Sequence, residues 1–190
     1  MRTGAATGFA RVWKIETSRD ERRRLDGGAQ GAKGADMSGA RSGPPAAPFG
    51  RETIESIIPH RPPFLLVDEV LELEPGRRVR GRFHVPADGW WFRGHFPDRP
   101  VMPGVLTIEA IAQCGAVAVL ADEANRGKIP FFAGIDDCRF KRVVEPGDVL
   151  ELECEFLRIR GPIAKGQGKA SVDGDVAAEA MLTVFVGSEG

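Results

Sequence analysis

The sequence predicts an α+β fold in which a curved antiparallel sheet wraps around one long buried helix, and three observations carry that expectation. From Val105 to Leu120 the chain is apolar almost all the way round, with Thr107, Glu109 and Gln113 its only clearly polar side chains. A helix with no polar stripe is covered on every side. It is too short and too alanine-rich for a membrane span, and a carboxylate sits inside it. On either side of it, the segments alternate with period two or meet across turn signals, as antiparallel strands do. The chain has neither a βαβ alternation nor internal repeats, which leaves a two-layer arrangement as the simplest solution.

In chain order, folded structure is expected from Arg51 to the end. Ile54, Ile57 and Ile58 recur at helical spacing before Pro59, giving a short packing helix. HRPPFLLVDEV is a proline-punctuated loop that enters a strand over Leu65 to Leu73, closed by the turn Pro75-Gly76. From Arg78 to Val85 the alternation is nearly strict, with Val79, Gly81, Phe83 and Val85 inward and Arg78, Arg80, Arg82 and His84 outward. Pro103 stands at the first helical position, where a missing N–H costs nothing.

After the helix, Asp122 to Lys128 reads as a polar connector. Phe131 to Ile135 and Arg139 to Val144 read as two strands split by Asp136-Asp137, with a turn at Pro146-Gly147-Asp148. Val149 to Phe156 alternates until the phase slips at Leu157 and Ile159, which predicts a bulge or a bend. Ile163 to Val172 and Val176 to Val186 pair across Asp173-Gly174, a type I′ hairpin signal.

The first fifty residues differ in kind. From Gly27 to Gly50 the chain is nearly all Gly, Ala, Ser, Pro, Asp and Arg, too poor in apolar surface to offset its ordering entropy, so residues 1–50 read as a disordered extension. Phe9, Val12, Trp13 and Ile15 could share one face of a short helix over Phe9 to Arg24. The extension fits a transit peptide poorly because it holds too many acids, and a mis-assigned start upstream of Met37 explains it equally well. The extension is basic while the whole chain sums to −1, which leaves the remainder acidic and argues against nucleic acid as the main partner. Neither a secretory signal nor a membrane span is present. Cys114, Cys138 and Cys154 lack metal-ligand spacing and read as reduced and mostly buried, as in a cytoplasmic protein.

Chemistry concentrates around the helix start. His95 sits in the Gly94-His95-Phe96-Pro97 loop and Glu109 lies within the helix. In the plainer reading His95 bonds a backbone carbonyl and Glu109 is a helix-start carboxylate favoured by the macrodipole. In the functional reading, histidine is a base that titrates near neutrality and a desolvated glutamate titrates above its ordinary range. Such a pair suits proton abstraction beside a carbonyl and protonation of a leaving hydroxyl. Gly104 would present an unpaired N–H that steadies an enolate oxygen, or simply ease the chain into the helix. Gln113, four residues on, shares a face with Glu109 and would orient its carboxyl or serve as a buried structural amide. The cations Arg78, Arg80 and Arg82, and Arg139, Lys141 and Arg142, form solvated strand faces or a docking patch for an acidic partner. His60 and His84 read as structural. The absence of GxSxG, Walker, GxGxxG and CxxC patterns leaves serine-nucleophile, nucleotide and metal chemistry without support, and no cofactor is expected.

Three stretches in order, HRPPFLLVDEV, GHFPDRPVMPGVLTIEAIAQ and FFAGIDDCRFKRVVEPGD, resemble the 3-hydroxyacyl-[acyl-carrier-protein] dehydratases of dissociated fatty-acid synthesis, the FabZ class, over roughly Glu52 to Val186. The resemblance implies the hot-dog fold. It implies that His95 and Glu109, fourteen residues apart, are the catalytic pair and that the Gly104 N–H polarises a thioester carbonyl. It further implies sites built from two subunits, hence a homodimer, commonly a trimer of dimers, and an acyl carrier protein that brings the substrate on its phosphopantetheine arm. Glutamate rather than aspartate at the helix position favours the plain dehydratase over the dehydratase/isomerase class. Asp98-Arg99 departs from the family, in which a glycine is common after the GHFP motif. The chain has no tyrosine, so a gating aromatic must be Phe131, Phe132 or absent, and these two are expected to line the acyl tunnel. A hot-dog thioesterase and a non-catalytic carrier-binding module are the competing readings.

Overall fold

The computed structural model describes residues 43–187. The suggested helix over Phe9 to Arg24 lies outside the described residues. The first strand begins at Phe49, ahead of the expected Arg51, and that half-buried ring packs against the core. Phe49–Gly50 forms the short strand β1, and helix α1 follows over Arg51–Ile57. Ile54 and Ile58 are fully buried, and the chain leaves the helix at Ile58, one residue before Pro59.

The strand expected from Leu65 begins later, as β2 over Glu69–Glu74. Leu65, Leu66 and Val67 are all buried in succession, which a half-buried strand does not allow. The Leu66 N–H donates to the side-chain carbonyl of Gln113 at 2.8 Å, so this segment is tied to the long helix rather than to a neighbouring strand. β3 spans Arg78–His84 with Val79, Gly81 and Phe83 inward, as the alternation requires. The buried helix, α2, runs over Gly104–Leu120.

The region expected as two strands is one, β4, over Ile129–Phe140. Its register against β7 (Asp175–Gly187) shifts between Phe132 and Gly134 and again between Asp136 and Arg139. Asp137 takes φ 50°, a conformation aspartate tolerates, so the acidic pair makes a bulge instead of a break. Beyond Phe140 the N–H groups of Lys141 and Arg142 both turn to the carbonyl of Ala177. β5 covers Val149–Arg160, and its register against β6 (Ile163–Val172) slips between Phe156 and Arg158, beside Leu157. At the β6–β7 turn, Asp173 and Gly174 have φ of 54° and 87°, the pair of positive values a type I′ turn requires.

The strands form one antiparallel sheet in the order β1-β2-β3-β5-β6-β7-β4, and α2 packs against β2, β3, β5, β6 and β7. From Ala164 to Ala170 the inward positions of β6 are all small: Ala164, Gly166, Gly168 and Ala170. This lets the helix approach closely, since a Cβ on Gly168 would stand 2.2 Å from Ile111 Cγ2. Gly168→Ala should therefore cost about 1–3 kcal/mol by overpacking, read as a fall in Tm of roughly 2–10 °C in a thermal melt. Cys114 and Cys154 are buried beside α2, and burial pushes the Cys154 thiol up to about 12 and that of Cys114 well above its ordinary value. Cys138 departs from the expectation of buried thiols: it is exposed, within the bulged part of β4.

Candidate active site

The loop carrying His95 is anchored before it and after it. Trp91 and Phe92, in a short 3-10 turn over Trp90–Arg93, are buried, and the His95 N–H donates to the Trp91 carbonyl at 2.9 Å. The His95 carbonyl accepts from the Val101 N–H at 3.0 Å, and the Met102 N–H donates to the carbonyl of Val144 at 2.8 Å. The imidazole Nδ1 lies 2.9 Å from the carbonyl of Val101. A carbonyl only accepts, so Nδ1 carries the proton in the neutral ring and the lone pair is left on Nε2. The backbone bond that the plainer sequence reading foresaw is thus also what makes Nε2 a base.

His95 lines a cleft of about 470 Å³ together with Val101, Pro103, Gly104, Phe140 and Val143. Helix α2 starts at Gly104 without a side-chain cap. The N–H groups of Leu106 and Thr107 go to the Pro103 carbonyl, whereas those of Gly104 and Val105 have no acceptor among the described residues. Open amides at the positive end of a helix dipole are suited to an oxygen on which negative charge develops. A Cβ at Gly104 would stand 2.7 Å from the Phe140 ring, so glycine here permits that ring to close over the helix start.

Glu109 does not line this cleft. Five residues along a helix turn a side chain roughly 140° around the axis from Gly104. There it meets a second group of polar residues. Gln113 Nε2 donates to Glu109 Oε1 at 2.9 Å and to the Phe64 carbonyl at 2.8 Å, while its own oxygen accepts from the Leu66 N–H. Those three bonds fix the sense of the Gln113 amide, which is fully buried. His60 Nε2 lies 3.6 Å from the same oxygen, Glu109 Oε1. Burial holds the His60 pKa below its ordinary value, against the pull of the Glu109 charge and with help from Arg61. Sequence reasoning set His60 aside as structural. The available signal was its place in HRPPFLL, immediately before the buried segment that Gln113 tethers.

The basic clusters are largely neutralised. Arg78 pairs with Glu74 and Glu72, Arg80 with Glu72, and Arg82 with Glu69 and Glu151. Lys141 pairs with Glu179, and Arg142 faces Asp148, Asp173 and Asp175. Among the described residues Arg139 makes no ion pair, nor do Arg93 and Arg99, exposed in the loop on either side of His95. Phe131 and Phe132 are half-exposed on β4, opposite Phe185 and Val184. A narrow apolar gap between α2 and the sheet is lined by Ala112, Ala116, Pro130, Phe156 and Leu182, so the strand meets it at Pro130 and not at the two phenylalanines. Among the described residues, no three His, Cys, Asp or Glu side chains gather to hold a metal, and no helix is long and apolar enough to cross a membrane.

A family model described as the FabA-like domain matches residues 58–181. Proteins named 3-hydroxyacyl-[acyl-carrier-protein] dehydratase FabZ from Bacillus thuringiensis (strain Al Hakam) and Bacillus mycoides (strain KBAB4) are each 59% identical over 138 residues, 73% of this chain and 96% of theirs. Among solved structures, the dehydratase heterocomplex ApeI:P from Xenorhabdus doucetiae superposes with a TM-score of 0.62 at 20% identity, covering 72% of this chain and 91% of that one. Cj0977, a sigma28-regulated virulence protein from Campylobacter jejuni, superposes at 0.53 and 15% identity, covering 73% and 90%. At such identities the two structures speak for the fold alone. With the hot-dog architecture and a family match over most of the described residues, the chain belongs to the FabA-like family, among its FabZ-type 3-hydroxyacyl-[acyl-carrier-protein] dehydratases.

Proposed function

We propose that the protein removes water from a (3R)-3-hydroxyacyl thioester carried by an acyl carrier protein, giving the trans-2-enoyl thioester of fatty-acid synthesis. The observation that carries this reading is a base and an open oxyanion donor on one cleft: the free Nε2 of His95 and the unpartnered N–H of Gly104. His95 Nε2 takes the Cα proton, and the electron pair moves toward the thioester carbonyl, whose oxygen the Gly104 amide steadies. The Cα–Cβ double bond then forms as the Cβ–O bond breaks, and a protonated Glu109 delivers its proton to the departing oxygen. Water leaves. The imidazolium and carboxylate that remain return to their starting states by exchanging one proton through solvent.

Because Glu109 faces away from the cleft of its own chain, the carboxyl at each site comes from a second copy. Two features support a homodimer. β4 is a twelve-residue strand at the edge of the sheet, where a second strand can pair. Apolar side chains stand exposed along it and beside the cleft, among them Ile135, Phe140, Val143 and Val105, the last at 71% exposure. Three such dimers would make the hexamer, which sedimentation distinguishes from a dimer. Phe131 and Phe132 would shape the acyl tunnel at the dimer face. For the carrier, the unneutralised Arg139, Arg93 and Arg99 offer more net positive field than Arg78, Arg80, Arg82, Lys141 and Arg142, whose partners cancel much of theirs. Free buried thiols fit the reducing cytoplasm.

Product analysis tests the reading. Incubation with 3-hydroxyacyl carrier substrates should raise enoyl thioester absorbance with no release of free thiol. Thiol release without enoyl product would make the protein a thioesterase. Tight carrier binding with neither product would make it a binding module.

A further inference from the structure

His60 stands beside the proposed proton donor, in the loop that joins α1 to β2. Its Nε2 is 3.6 Å from Glu109 Oε1, just outside hydrogen-bond length, and its side chain is 22% exposed. Its Nδ1 is buried without a partner among the described residues. Burial disfavours the imidazolium, so at neutral pH the ring is neutral and carries one N–H. Placing that hydrogen on Nδ1 would bury a donor with nothing to accept it. On Nε2 it has a carboxyl oxygen 3.6 Å away as its nearest available acceptor, the better arrangement. Glu109 Oε1 then faces two donors, the Gln113 amide and the His60 N–H, and a proton on that oxygen would collide with both. The protonated carboxyl must carry its hydrogen on Oε2.

We propose that His60 is a positioning residue for the dehydration step: with Gln113 it occupies Glu109 Oε1 as a hydrogen-bond donor, which confines the transferable proton to Oε2 and turns that oxygen toward the leaving hydroxyl. The 3.6 Å separation closes to a hydrogen bond when substrate fills the site, as catalytic contacts commonly tighten on binding. The inference rests on the dehydratase reading above.

The test compares two variants of the full chain in the enoyl-forming assay. His60→Leu keeps the bulk and removes the donor, whereas His60→Gln keeps an N–H at the reach of Nε2. His60→Leu should lower kcat about tenfold with KM within about twofold, and His60→Gln should recover most of that loss. On a Glu109→Gln background, which has no proton to place, His60→Leu should have almost no further effect. Equal losses in His60→Leu and His60→Gln, no loss in His60→Leu, or a full tenfold loss persisting on the Glu109→Gln background would each overturn the proposal. His60→Phe, a second donor-less ring, replaces His60→Leu if the latter does not fold by circular dichroism. A parent protein that makes no enoyl product would instead overturn the dehydratase reading itself, before any His60 variant is compared.

Discussion

His95→Ala should lower kcat/KM for dehydration by at least about 10²-fold, the usual worth of a general base, while the melting temperature moves by no more than about 3 °C. The loss is chemical because the substitution removes a lone pair on the cleft that is aimed by the ring's own hydrogen bond to Val101. The Val101 carbonyl that holds Nδ1 becomes free to take water in the partly open loop. The fold should survive because the loop is fixed by backbone contacts: His95 to Trp91, Val101 to His95 and Met102 to Val144. Residual activity would come from the Gly104 and Val105 amides, which the change does not touch. Steady-state kinetics beside a thermal melt reads both quantities.

Glu109→Gln should cost at least about 10²-fold as well, again without loss of the fold. Glutamine matches glutamate in shape, and its side-chain oxygen can accept the Gln113 amide as Oε1 does. What it lacks is a proton to deliver to the leaving hydroxyl. Truncation to alanine would mix that loss with an unpaired Gln113 amide in the core, so the isosteric change is the more informative one. Losses under tenfold in both His95→Ala and Glu109→Gln would sink the assignment of the pair.

The helix and the sheet were legible in the sequence because each depends on local pattern. Sixteen residues without a polar stripe can only be covered on all sides, and period two from Arg78 to Val85 sorts faces without knowledge of the partner strand. Asp173-Gly174 specified its turn through two positive φ values. What failed depended on contacts far along the chain. β4 continues through Asp136-Asp137 because β7 holds both sides of the bulge. The segment from Leu65 looks like a strand until Gln113, 47 residues away, claims the Leu66 N–H. His60 meets Glu109 only once α1 and α2 are packed, so its place in HRPPFLL could hint at a role but could not name its partner. The arginine clusters were visible, but the neutralisation of Arg78 and Arg80 follows from the β2–β3 register that sets Glu72 opposite Arg80 and Glu74 opposite Arg78.

The central claim is that each site joins the base of one chain to the acid of another. Co-expression of His95→Ala and Glu109→Gln chains, distinguished by two tags, tests it most directly. In a mixed dimer one site holds both altered residues and the other holds neither. Random pairing makes about half the dimers mixed, each with one intact site, so activity should return to about a quarter of the parent. Purified mixed dimers as inactive as either variant alone would contradict the account.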